Sequence, residues 1–193
     1  MKKFYLSLFL LISVTISFGQ TNFRKHTLSH LTKLDMGLFG LGFTVEPRIS
    51  NNITIDLSTG FGGGYYIDKS TFEYNLLKLA WCFSATPKYF YSVKKRISQG
   101  KTVQNNSGNY IGIRLKYSSP IVEIADNPDP ISNSILTNVH WGLQRSLGGI
   151  WMFSSQIGGG YAIDDGYGDG AGTIYPSLDF KFSFILSKRK EHK

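Results

Sequence analysis

Few residues in this chain could do chemistry, and few of those stand at productive spacings. His26, Ser29 and His30 lie close together, and a Ser–His pair is the beginning of a hydrolytic set. Such a set also needs a base oriented by a third, acidic group. The stretch HTLSHLTKL supplies no acid. His140, beside Trp141, has the residue type of a general base, but a histidine among inward-facing polar residues more often belongs to a polar plug. Asp165, Asp169 and Gly170 begin like a calcium loop. Tyr167 takes a ligand position, however, and Pro176 stands where the closing Glu belongs, so this stretch reads as a Gly- and Asp-rich turn in water. Cys82 is the only cysteine, which rules out an internal disulfide and leaves burial and hydrogen bonding to hold the fold. These residues imply no enzyme, no cofactor and no metal.

A larger constellation is made of charges. Glu46, Arg48, Asp56, Lys78, Lys88, Arg114, Lys116, Asp179 and Lys181 lie on the polar face of their strands, as do His140 and a series of glycines, among them Gly40, Gly42, Gly60, Gly62, Gly112 and Gly142. The opposite face is apolar. A solvated face needs neither small residues nor charges of both signs, whereas a narrow lumen needs small side chains and paired charges. The set is therefore expected to form a polar network inside a barrel. Glu46, Asp56 and Asp179 are the expected partners of Arg48, Lys78, Arg114 and Lys181.

Strands must position these residues. Residues 38–49 and 53–67 alternate strictly, with Phe39, Leu41, Phe43, Val45, Ile53, Ile55, Leu57 and Phe61 on one face, and Ser50-Asn51-Asn52 supplies a tight turn between them. The same period recurs over 72–93, 109–117, 133–147, 150–163 and 174–186, with Gly148-Gly149 as a second tight turn. Residues 26–34 are the weakest strand, followed by a turn at 35–37. The fold class is all-β: about eight antiparallel strands in an up-and-down barrel. Several match the roughly 9–11 residues that a tilted transmembrane strand requires. Residues 94–108 read as a basic polar loop, and 118–132 and 164–173 as acidic loops.

The N-terminus adds a location. Met1-Lys2-Lys3, an apolar run to Phe18 and the small residues Ser17 and Gly19 read as a secretory signal over 1–19. The apolar run is shorter than the roughly 20 residues a spanning helix needs. The barrel is then assigned to 20–186 and a charged tail to 187–193. Of the formal net charge of +8, Lys2 and Lys3 account for two.

Alternation alone does not say which face is inside. If the N-terminus starts in the periplasm, Tyr65, Tyr117 and Tyr161 fall near the outer rim and Tyr89, Tyr91 and Trp151 near the inner rim. Two such levels are the girdles that membrane interfaces select. Under this topology the outer loops are acidic and include Asp35, and the periplasmic loop and tail are basic. The basic residues thus gather at one end instead of forming an aromatic-lined groove, and no nucleic acid is expected.

With these residues in place, the chain resembles the small eight-stranded outer-membrane barrels of Gram-negative bacteria, of the OmpA/OmpX shape. The segments TPKYFY, NNSGNY and YPSLDFKFSF resemble an uncharacterised set of such barrels. Phe180, Phe182 and Phe184 resemble the C-terminal signal read by the outer-membrane insertion machinery. The resemblance implies an outer-membrane protein with a structural or interaction role and no wide pore. Its partners would be outer-membrane lipid, lipopolysaccharide and the insertion machinery, and the surface partner is unspecified. One alternative is a secreted lipocalin-like barrel that binds apolar ligands inside. A second is an outer-membrane lipid-modifying hydrolase built on the His26–Ser29–His30 stretch.

Overall fold

A computed structural model describes residues 28–38, 40–121, 133–164 and 172–189. The expected signal segment, His26, the calcium-like stretch at 165–170, most of the 118–132 loop and the end of the tail lie outside the described residues. Eight antiparallel strands follow one another: β1 (His30–Gly37), β2 (Gly40–Glu46), β3 (Ile53–Ile67), β4 (Phe72–Tyr89), β5 (Gly108–Pro120), β6 (Ser134–Gly148), β7 (Trp151–Asp164) and β8 (Gly172–Arg189). Each pairs with the next, and β1 pairs with β8, so the sheet is a closed up-and-down barrel. Closure leaves no free sheet edge where all strands are present. No described helix is long and apolar enough to cross a membrane.

The apolar face of the strands points outward. Leu41, Leu57, Phe61, Trp81, Ile113, Val139, Ile157 and Phe182 are exposed, whereas Thr44, Glu46, Thr54, Lys88, His140, Gln144 and Asp179 are buried. This overturns the lipocalin-like alternative, which requires the reverse. The narrow lumen explains why glycines share the inward parity. A Cβ on Gly60 would collide with the backbone of Leu41 and Gly42, and one on Gly142 with the ring of Tyr110.

Several elements differ from the sequence expectation. β1 runs to Gly37, so Asp35 lies inside the barrel instead of in an outer turn. β2 ends at Glu46. Beyond it, Arg48 sends its guanidinium to Ser50 O and Asn51 Oδ1 at the hairpin turn. β8 continues to Arg189, so residues 187–189 of the expected tail belong to a strand. The expected polar loop at 94–108 contains α1 (Val93–Ser98) and a single 3₁₀ turn (Gln104–Asn106). Its start packs into a small apolar core of Leu28, Phe90, Val93, Val103 and Tyr110 that closes the base, the end from which β1 starts.

At the mouth, the opposite end, β3 and β4 outrun their other neighbours among the described residues. β2 pairs with β3 only as far as Phe61, and β5 pairs with β4 only from Ala80. The register of the free hairpin breaks between Gly63 and Gly64. Gly63 faces Leu79 and Gly64 faces Asn75, leaving Leu76, Leu77 and Lys78 in a bulge. Such a bulge bends and turns a strand. The faces of β3 exchange there: Phe61 points out, while Tyr65, of the same parity, is only 4% exposed and lies inside. Tyr65 is therefore not a girdle residue. Lys78 is half-buried in the bulge and outside the main ion cluster.

The close backbone approach at Gly60 makes a direct test. Gly60→Ala is expected to cost about 1–3 kcal/mol through forced displacement of β2. Gly159→Ala, whose added Cβ meets only Tyr175 O at 4.0 Å, should stay within about 0.5 kcal/mol of the parent. Urea unfolding of both variants in lipid vesicles measures the difference.

Candidate functional site

The lumen is organised in three tiers. Nearest the base, four charges from four consecutive strands meet. Lys33 Nζ of β1 lies 2.6 Å from Glu46 Oε2 of β2 and 3.6 Å from Asp56 Oδ2 of β3. Lys88 Nζ of β4 lies 2.5 Å from the same Asp56 oxygen. Neutral groups complete the shells. Glu46 accepts from Thr54 Oγ1 at 3.0 Å, Asn106 Nδ2 at 3.1 Å and Gln144 Nε2 at 3.3 Å. Lys88 donates to Gln144 Oε1 at 3.2 Å and sits 5.0 Å from the centre of the Tyr110 ring. Burying ions is tolerable only when each is paired and its remaining donors and acceptors are used.

Beneath this cluster the 3₁₀ turn forms a plug. Asn105, Asn106 and Ser107 are buried although they belong to a loop. Both asparagines adopt left-handed backbone, with φ of 53° and 56°, a region Asn tolerates better than most residues. Asn106 accepts the N–H of Ser29 at 2.7 Å and donates to its carbonyl at 2.9 Å. Asn105 donates to Ser146 Oγ and Gly149 O, its side-chain oxygen accepts from Lys188 Nζ at 2.9 Å, and its carbonyl accepts from Gln144 Nε2. The chain leading into the plug is held from outside the strands by Arg96 of α1, which donates to Thr102 O from two nitrogens; its partial burial lowers its pKa.

The middle tier centres on Asp179. Arg114 Nη1 reaches its Oδ2 at 3.1 Å, Lys181 Nζ reaches the same oxygen at 3.7 Å, and Arg114 Nη2 donates to Gln156 Oε1 at 2.9 Å. Asp35 accepts from Thr44 Oγ1 at 2.7 Å. His140 Nδ1 is 2.7 Å from Asn138 Oδ1, and Asn138 Nδ2 donates to the Tyr175 hydroxyl at 2.9 Å. Among the described residues, Asn138 is the hydrogen-bond partner of this imidazole. Ser29 is tied into the base by its backbone, and His30 Nδ1 accepts the backbone N–H of Arg48.

Aromatic side chains roof the lumen. The free β3–β4 hairpin lays Tyr65, Ile67, Phe72 and Tyr74 against Leu136, Ala162 and Tyr175 on the far wall. Phe72 stacks on Tyr175 with ring centres 4.5 Å apart, and Lys116 Nζ donates to the Tyr65 hydroxyl at 2.7 Å.

Of the sequence-predicted network, Glu46, Asp56, Lys88, Arg114, Lys116, His140, Asp179 and Lys181 occupy the lumen side; Arg48 lies at the β2–β3 turn and Lys78 in the β4 bulge. Tyr117, Tyr161, Tyr89, Tyr91 and Trp151 stand on the outer surface. Two tryptophans add to these levels: Trp81 Nε1 donates to Thr59 Oγ1 and Trp141 Nε1 to the Tyr91 hydroxyl. Sequence reasoning missed Lys33, Asp35, Gln144 and the Asn105–Asn106 plug. The alternation Lys33–Leu34–Asp35–Met36 carried the signal for the first two.

The fold is similar to that of the outer membrane protein AlkL, determined by solid-state NMR in DMPC lipid bilayers. Identity is 12% and the TM-score 0.37, over 88% of this chain and 93% of that one. No protein-family model and no curated protein matches the sequence.

Removing one member of the lower cluster leaves its partner buried and unpaired. Lys33→Ala is expected to destabilise the barrel by about 3–5 kcal/mol. A surface change such as Lys69→Ala should stay within about 0.5 kcal/mol. Denaturant titration of vesicle-inserted protein reads both.

Proposed function

We propose that this chain is an integral outer-membrane barrel with a structural or interaction role and no open pore. The observation that carries the reading is the inversion of its two faces. Large apolar side chains cover the outside around the barrel, and ions and amides fill the inside. Soluble proteins rarely expose apolar surface on this scale, whereas a barrel in lipid requires it. Tyrosine and tryptophan near the strand ends suit the two membrane interfaces. The apparent export segment, the basic base and the acidic mouth loops give the orientation, with both chain ends in the periplasm. Outer-membrane lipid, lipopolysaccharide and the insertion machinery are then the partners of the barrel itself.

Eight strands enclose little more than their own side chains. Here the base cluster, the asparagine plug and the aromatic roof occupy that space, so recognition belongs to the loops at the mouth, 118–132 and 164–173. Their acidic residues suit divalent cations that bridge to lipopolysaccharide phosphates, or a basic partner.

Two measurements test this reading. Envelope fractionation with unboiled and boiled gels should place the chain in the outer membrane with heat-modifiable mobility; a soluble periplasmic protein without it would sink the assignment. Planar bilayers should show no steady large conductance for the parent, and leaks for Glu46→Ala and Arg114→Ala. Deleting 164–173 should leave insertion intact while altering sensitivity to chelators.

A further inference from the structure

Near the base, the outer wall of the barrel carries two guanidiniums whose bonds all go to neutral groups. Arg145 follows Trp141 and Leu143 on the outward face of β6, while Gly142 and Gln144 between them are buried. Its Nη1 donates to Gly108 O at 2.9 Å and to Gln144 O at 2.8 Å, and its Nη2 donates to Asn109 Oδ1. The N–H of Asn109 donates to Ser92 Oγ at 2.6 Å, and Ser92 immediately precedes α1. This link brings Arg96 of α1 close enough to Arg145 for the two charges to repel. Arg96 directs both its bonds to Thr102 O. A guanidinium has more N–H donors than these bonds use.

Among the described residues, no carboxylate balances the pair. Asp35, Glu46, Asp56 and Asp179 lie inside the barrel, and Asp68, Glu73 and Asp164 lie at the mouth. Lys94, Lys95 and Lys101 are exposed in the same segment as Arg96 and add positive charge. In sequence, 20–27 and 190–193 hold Arg24, Lys25, Lys190 and Lys193 against the single acid Glu191. Two like charges held together away from bulk water repel, and an anion between them removes the repulsion. Arginine suits phosphate in particular, because its planar fork matches two phosphate oxygens.

Beside the pair stands an aromatic level. Trp141 is 42% and Tyr91 43% exposed, and Trp141 Nε1 donates to the Tyr91 hydroxyl at 2.6 Å. Such rings select the headgroup level of a bilayer. Arg145 lies two outward positions nearer the base than Trp141, on the water side of that level.

We propose that Arg96 and Arg145 form a site for the phosphate headgroup of a net-anionic phospholipid in the periplasmic leaflet. Its acyl chains would run along the apolar wall past Trp141 and the neighbouring Ile111. A zwitterionic headgroup carries the same phosphate but brings a cation of its own, which Lys94 and Lys95 disfavour. The site rests on the membrane reading above.

Trp141 is the reporter. Trp81→Phe with Trp151→Phe leaves it as the only tryptophan. The full chain is reconstituted in phosphatidylcholine vesicles, and heat-modifiable mobility is checked first. Brominated phosphatidylglycerol should quench Trp141 with an apparent affinity about fivefold above that of brominated phosphatidylcholine. A companion chain that keeps Trp81 alone, toward the mouth, should show no such preference. Arg145→Gln and Arg96→Gln should each lower the preference at Trp141, Arg145→Lys should retain part of it, and Lys69→Gln at the mouth should leave it unchanged. Arg96→Gln removes bonds to one loop carbonyl only, so it carries the test if Arg145→Gln does not fold. Inorganic phosphate, compared with chloride at equal ionic strength, should not compete. A folded, inserted barrel overturns the lipid site alone if it shows no phosphatidylglycerol preference or an equal one at Trp81. The same holds for a preference that survives the arginine variants, or one that inorganic phosphate abolishes. A chain that never inserts overturns the membrane reading with it.

Discussion

The structure depends on settling buried charge inside a space with little room for water. Lys33, Glu46, Asp56 and Lys88 come from β1, β2, β3 and β4, and they meet in one knot. That knot is a register lock as well as a set of ion pairs. A one-residue slip of β1 would turn Lys33 toward the apolar outer surface and bring Leu34 inside. β1 is also the strand that closes the barrel against β8. The shortest useful polar signal in the chain thus fixes the step on which closure depends. Gln144 of β6 and Asn106 of the plug add neutral bonds to the same knot, so it spans the lumen and joins its base.

The two ends of the barrel are finished with different chemistry. At the base, amides satisfy backbone and side chains of several strands at once, as Asn106 does for Ser29 and Glu46. At the mouth, rings cover the lumen by burial and stacking. One short sequence shows how local geometry decides such outcomes. Gly62-Gly63-Gly64-Tyr65 and Gly158-Gly159-Gly160-Tyr161 are identical strings. β7 passes through its copy in regular register and presents Tyr161 outward. β3 passes through its copy beside a three-residue bulge and turns Tyr65 inward onto Lys116.

Much of the fold was legible in period-2 alternation, because a two-faced wall needs that pattern in every strand. The bounds of β3 agree with the expectation at both ends, whereas the second tight turn falls one residue later than expected, at Gly149-Ile150 between the paired Gly148 and Trp151. The misses have physical causes. Arg48 keeps the parity of Glu46, but parity means nothing once the strand has ended. Tyr65 lies past a register break that depends on residues of β4 more than ten positions away in sequence. Asn105, Asn106 and Ser107 look like a solvated loop because they are polar and follow a basic stretch. Their burial is decided by tertiary partners on β6, β2 and the segment before β1, which no local pattern encodes. β1 was weakest because eight residues give few periods, and its apolar residues before position 34 fall on mixed parity.

The short β1–β2 hairpin explains the unusual mouth. Unpaired strand backbone away from water is costly, and closed barrels normally avoid it. β1 and β2 stop early, so parts of β3 and β8 run past them and face that cost. The free hairpin reduces it in two ways. Gly63 donates its N–H to the Tyr74 hydroxyl at 3.0 Å, satisfying one backbone group above the last β2 pair. Phe72 reaches Tyr175 and draws the tip of the hairpin onto β8. The aromatic roof is therefore tied to the early end of the β1–β2 hairpin. The rings that roof the lumen also hold the end of the β3–β4 hairpin against β8, in the stretch that β1 and β2 do not reach.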